Sequence, residues 1–166
     1  MPVEEFDPAD VRSDLRRIDA LTHAFFDLFT QVPGQTVDLD AIHDLFIAHG
    51  LIIKAVTDIP EIYTVQQFIE PRISLLNDGS LTDFREEEVS ASTDIFGNIA
   101  QRHSTYRKSG VLHGVPFATS GMKTLQFVRV NGTWKFSCVA WDDEREGLSL
   151  PAFTEVNSGT VENNLS

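Results

Sequence analysis

A single cysteine, Cys138, stands in a chain of 166 residues. No intrachain disulfide and no thiolate metal cluster can form, and a reducing compartment is compatible. Positive charge is scarce: 13 Lys and Arg face 25 Asp and Glu, a formal net charge of -12. Such a balance repels phosphate backbones and anionic head groups, so neither nucleic acid nor a membrane surface is expected as a partner. No apolar run reaches membrane-spanning length, and Met1-Pro2-Val3-Glu4-Glu5 has neither the basic segment nor the apolar core of a secretion signal. The expectation is a cytoplasmic protein. The five histidines, His23, His43, His49, His103 and His113, form no HExxH pattern and no pair one strand step apart, and none adjoins Cys138. No metal is expected. Dinucleotide, Walker and nucleophile-elbow patterns are absent too, leaving no sequence case for a nucleotide cofactor or a Ser-His-Asp hydrolase. No cofactor is expected.

What is present is enough for a core: 42% of residues are hydrophobic, and the length suits one domain. Asp7-Pro8-Ala9-Asp10 opens a helix, with Asp7 as cap and Pro8 in the first helical position. Val11, Leu15, Ile18, Leu21, Phe25, Leu28 and Phe29 then recur at steps of three and four until Pro33-Gly34. A shorter helix is predicted over Asp38 to Phe46 and a strand over Leu51 to Val56. Thr64-Val65-Gln66-Gln67 fits a capping box for a third helix, in which Pro71 predicts a kink or restart. Strands follow over Phe84 to Phe96, Ile99 to Lys108, Met122 to Val130 and Trp134 to Asp142, the last two joined at Asn131-Gly132 as a tight hairpin. Helices first and an antiparallel meander second predict an α+β fold. Residues 1–146 are expected to form the domain. Residues 147–166 lose periodicity and read as a solvated tail, which Leu148, Leu150 and Phe153 could still dock.

The order of these elements resembles the nuclear transport factor 2-like superfamily, including its SnoaL-like and ketosteroid-isomerase-like branches with their cystatin-like fold. The residues that carry the resemblance are the hairpin from Phe127 to Phe136 with its Trp134-Lys135 start, the Phe-rich first helix, and Gly50-Leu51-Ile52-Ile53. The resemblance implies a curved antiparallel sheet wrapped around three amino-terminal helices into a cone-shaped α+β barrel, with a pocket between them and dimers through the outer sheet face. It implies no single function. Where similar ketosteroid isomerases place an acidic base and a Tyr donor, this chain has Lys54-Ala55-Val56 and Phe25, Phe26 and Phe29. That speaks against the steroid-isomerase mechanism.

Strand alternation puts Arg102, Ser104 and Tyr106 on one face with the small Ala100, which predicts an inward-looking face. Arg72 shares a helical stripe with Phe68 and Leu76, and Tyr63 precedes the helix cap. A ligand pocket is therefore expected to open near Tyr63 and a loop from Gly110 to Gly121. Phe26 and Phe68 would wall it, and Arg72, Arg102 and Tyr106 would form its polar end. Opposed to this is a structural role for Arg102 paired with Glu86 or Glu88, and a solvated role for Glu86-Glu87-Glu88 and Asp142-Asp143-Glu144. Cys138 reads as a small apolar filler between Phe136 and Ala140, not a nucleophile.

Two functional classes stay open. One is a pocket protein for an apolar carbonyl or carboxylate compound, extending to a cofactor-free isomerase, cyclase or dehydratase. The other is a non-catalytic dimerisation or interaction module. Along the last two strands Leu125 and Phe127 oppose Val128 and Val130, while Phe136 and Cys138 oppose Val139 and Trp141. Strands apolar on both sides predict a homodimer through the outer face of the sheet, or cover by the tail.

Overall fold

Residues 8–152 are described by the computed structural model. The Asp7 cap, the first residues of the chain and Phe153 lie outside them. Helix α1 (Pro8–Phe29) is followed by one 3-10 turn (Asp40–Asp44), then strands β1 (Phe46–Lys54) and β2 (Glu61–Thr64) and helix α2 (Val65–Asn77). Four long strands complete the chain: β3 (Leu81–Phe96), β4 (Ile99–Leu112), β5 (Val115–Val130) and β6 (Thr133–Asp143). The architecture is α+β, an open six-stranded sheet in the order β2-β1-β6-β5-β4-β3.

Two α-helices stand where three were expected. The spacing Leu39, Ile42, Phe46 suits a helical stripe, but Phe46 instead begins β1 and pairs with Phe136, so only the short turn around the buried Ile42 remains helical. The segment from Gly110 to Gly121 is no loop either. It continues β4 into β5 in register, Gly110 opposite Phe117 and Val111 opposite Pro116, and turns only at His113-Gly114. Gly121 faces Tyr106 and the Asp142 carbonyl at separations that leave no room for a Cβ, and Gly110 faces Thr82 and Phe117 at separations where a Cβ would be tight. These two glycines mark close approach, not turns.

Helix α2 starts as its sequence dictates, with the Thr64 side chain accepting from the Gln67 amide and the Gln67 side chain accepting from the Thr64 amide. Pro71 lies within it, withholding one amide donor without ending the helix. Helix α1 packs into the hollow of the sheet, touching both β3 and β6. Just beyond its end, Gln31 donates to the carbonyls of Leu76 and Leu81 and accepts from the Phe84 amide. One side chain thus ties α1, α2 and β3 together.

The core centres on Ile18, Phe25, Phe29, Ile52, Ile69, Phe127, Phe136 and Val139, with the Phe25, Phe46 and Phe136 rings 5.2–6.0 Å apart. Between Phe136 and Cys138 the β5–β6 register slips by one residue at Ser137. The slip is a β-bulge, and it returns Val139 and Trp141 to the inner face that Phe136 occupies. The outer face of β6 is thereby left with the small Cys138 and Ala140. Val139 and Trp141, which uninterrupted alternation places opposite Phe136, do not contribute to it.

Candidate functional site

The chemistry-bearing side chains meet between α2 and the inner face of the sheet, where a cavity of about 260 Å³ lies. Its apolar wall comes from Phe25, Phe29, Phe68, Leu76, Phe84 and Trp141. Its polar lining consists of Lys54, Arg72, Lys108, Lys123 and Glu86, four cations and one anion in a chain of net charge -12. A second cleft, about 360 Å³ near the β3–β4 turn, has Asp94 as its one charged lining residue. The convergence of cations distinguishes the first.

Lys123 lies deepest, its side chain 5% exposed. The β5 alternation that buries Leu125 and Phe127 carries Lys123 inward with them. Its Nζ sits 4.2 Å from the Tyr106 ring centre, 4.6 Å from Trp141 and 5.6 Å from Phe26, an aromatic box around a cation. Glu86 Oε1 is 2.7 Å away, yet off the alignment of a hydrogen bond, and that oxygen has no other partner. Burial pulls the Lys123 ammonium below its ordinary range; Glu86 opposes this and Lys108 adds to it.

Arg72 closes another side. Its guanidinium lies 3.6 Å from the Phe68 ring centre and 5.7 Å from Tyr63, and Nη1 donates to the Phe68 carbonyl at 2.9 Å. Burial lowers its pKa, and Tyr63 and Glu61 act against that. Lys108 is held by Asp143, 3.0 Å from Oδ1. Asp143 also accepts the Tyr106 phenol, which reaches the Asp142 carbonyl at 3.1 Å. Burial first, and Asp143 second, push the Tyr106 phenol far above its ordinary range.

Of the six residues expected to form the pocket, Phe68 and Arg72 line the cavity. Tyr63 stands behind them, its ring 5.8 Å from Phe68 and its hydroxyl donating to Glu61 at 2.9 Å. Phe26 and Tyr106 lie beneath Lys123 as part of its aromatic box. Arg102 does not reach the cavity lining. It is buried in an ion-pair network with Glu88 and Asp19 and also donates to Thr93 at 2.9 Å. Burial acts against its charge, but the bonds to Glu88 and Asp19 outweigh that and raise its pKa. The alignment of Arg102 with Ala100 and Tyr106 on one strand face is real; the carboxylates opposite it decide what it does.

Lys54, Lys108, Lys123 and Glu86 were not among the expected site residues. The signal for Lys123 is its even spacing from Leu125 and Phe127. For Glu86 it is alternation within the acidic run, which turns Glu86 and Glu88 inward and leaves only Glu87 exposed. Cys138 is half-buried, and burial pushes its thiol up, away from the reactive thiolate. Among the described residues no group of three or more His, Cys, Asp or Glu is placed to hold a metal ion, and no helix is long and apolar enough to cross a membrane.

No family model and no curated protein matches the chain. Solved structures do. A protein with a cystatin-like fold from Caulobacter vibrioides superimposes with a TM-score of 0.62 at 17% identity, covering 80% of this chain and 91% of that one. A nuclear transport factor 2-like protein of unknown function from Shewanella baltica gives 0.53 at 11% identity, covering 85% and 99%. A putative calcium/calmodulin-dependent kinase II association domain from Exiguobacterium sibiricum gives 0.61 at 9% identity, covering 86% and 98%. The fold is that of the cystatin-like and nuclear transport factor 2-like proteins, as the order of helices and the Trp134-Lys135 hairpin led one to expect.

Proposed function

We propose that this protein binds a small apolar molecule bearing a carboxylate or carbonyl group in the cavity between α2 and the sheet. One observation carries the reading: three of the four lysines in the chain, Lys54, Lys108 and Lys123, line the same apolar cavity as Arg72. Chance placement on an acidic surface would not gather them there, and four cations at one apolar cavity, of which Arg72 makes no carboxylate ion pair among the described residues, favour an anionic or strongly dipolar guest. Glu86, Asp143 and, at 3.7 Å from Lys54, Glu61 engage the three lysines; Arg72 has its carbonyl bond and two rings. The site retains capacity for an added acceptor oxygen. In this reading residues 1–146 are the functional domain and 147–166 a dispensable tail, and a reducing cytoplasm suits the free Cys138 thiol.

Titration calorimetry with benzoate, a longer aromatic carboxylate and the corresponding methyl ester and alcohol tests this. The carboxylates should bind more tightly than the alcohol, with an advantage that shrinks as salt is raised. Equal binding of all four, or binding of none, overturns the reading.

The interaction-module reading has its own support. The outer sheet face carries Leu51, Ile53, Met122, Val128, Cys138 and Ala140, a band of small and medium apolar side chains, and the Exiguobacterium neighbour is described as an association domain. A homodimer through this face would be broken by Thr124→Arg at its centre. Sedimentation of the parent chain as a monomer at micromolar concentration, with residues 147–166 removed, counts against it.

A further inference from the structure

We propose that Lys123 is a nucleophile that captures an aldehyde or ketone as an imine inside the cavity, with Glu86 moving the proton. This rests on the cavity being a ligand site, as argued above, but adds covalent chemistry to it.

An amine attacks a carbonyl only when neutral, and lysine approaches that state when it is desolvated or set beside another cation. Lys123 has both conditions: it is enclosed by Tyr106, Trp141 and Phe26, and the Lys108 ammonium lies over the same Tyr106 ring at 5.4 Å. Its burial lowers the free-energy cost of losing the proton, consistent with the direction in which its titration moves. The other requirement is a base and acid within reach. Glu86 Oε1 lies 2.7 Å from Nζ, is buried, and has no other partner to hold it.

The step balances without a co-reactant. Lys123 passes one proton from its ammonium to Glu86, and the neutral Nζ forms a bond to the carbonyl carbon. The nitrogen, made cationic by the addition, gives up a second proton to the carbonyl oxygen, and the product is a neutral carbinolamine. Glu86 returns its proton to that hydroxyl, which leaves as water, and the nitrogen lone pair forms the C=N bond. One carbonyl compound and one ammonium give one protonated imine and one water, with no change in charge. The iminium then occupies the aromatic box beside the Glu86 carboxylate, so the same rings and the same anion serve both cations.

The chain suits a direct test because it has only four lysines, Lys54, Lys108, Lys123 and Lys135, besides its amino terminus. The full chain is incubated with 4-carboxybenzaldehyde and sodium cyanoborohydride near neutral pH, and the reduced adduct is mapped by peptide mass spectrometry. Label on Lys123 ahead of the more exposed Lys54 and Lys135, saturating with aldehyde and competed by benzoate, is the expected result. Glu86→Gln should slow labelling of Lys123 at least tenfold at saturating aldehyde. Lys123→Met, close in shape and apolar, should abolish the saturable label, with folding checked by its melting curve. Label spread by exposure, with Lys123 unmodified, overturns the proposal. If 4-carboxybenzaldehyde binds by calorimetry and Lys123 stays unlabelled, the imine fails and the binding reading survives; if it neither binds nor labels, both fail.

Discussion

Arg102 meets Glu88 side on, Nε to Oε2 at 3.1 Å and Nη2 to Oε1 at 2.6 Å, a bidentate pair whose two side chains are 5% and 8% exposed. The Ser104 hydroxyl donates to the same Glu88 Oε2 at 2.6 Å. Removing one partner from such a pair leaves a buried charge, at a cost of about 3–5 kcal/mol. Arg102→Met should therefore lower the urea midpoint sharply. Affinity of the remaining folded protein for benzoate should stay unchanged, because Arg102 does not line the cavity. A stable variant with weakened binding would return Arg102 to the ligand site.

Arg72→Met keeps a long apolar chain over Phe68 and removes the charge. Losing one charge-assisted hydrogen bond costs about 1.5 kcal/mol, roughly tenfold in affinity. Carboxylate binding should fall by about that factor, while binding of the matching alcohol barely moves. Calorimetry on both ligands checks this, and an equal loss for the two would place Arg72 in packing alone.

Tyr106 holds its proton more tightly folded than unfolded, through burial and the bond to Asp143. A raised folded pKa contributes stability that is whole below the unfolded value, about 10, and is lost as pH rises above it. Stability should thus drop steeply above pH 10, and Tyr106→Phe should flatten that decline. Chemical denaturation at pH 8 and pH 11 compares the slopes. Parallel slopes for the two proteins would show that Tyr106 does not drive the loss.

Gly121→Ala would drive a Cβ into the Tyr106 hydroxyl and the Asp142 carbonyl, and the latter is backbone that cannot step aside cheaply. Overpacking of this kind costs about 1–3 kcal/mol. The melting temperature should fall. Displacing Tyr106 should also loosen the box around Lys123, read as a change in the near-ultraviolet circular dichroism of Trp141.

Local chemistry was the most legible part of the sequence. The Thr64 capping box and the Asn131-Gly132 turn depend on residues within a few positions, and both stand as read. Phe46 reads as helical because it stands four residues from Ile42 and seven from Leu39, while its strand partner Phe136 lies far along the chain. Gly110 and Gly121 look like turn residues, and only their cross-strand neighbours show that they mark tight packing instead. Of the cavity, the Arg72 and Phe68 stripe was visible on one helix. Lys123 and Glu86 were not brought together, because β5 and β3 are separated by β4 and only the curl of the sheet faces them toward each other.

Strand β6, the last of the described strands in chain order, lies between β1 and β5 and joins them, parallel to β1 and antiparallel to β5. A nascent chain that has not yet released residues 133–143 holds two incomplete sheets, β1–β2 and β3–β5, each with a bare edge. Neither can close around α1, and Trp141 is not yet available to pack on Phe68. The cavity therefore depends on a pairing of β1 with β6, Ile52 opposite Val139, that closes a long loop of chain. Without β6, the edges of β1 and β5 that it covers are open to pairing with other chains, so the strand that completes the cavity wall is also the one that closes the sheet's interior edges.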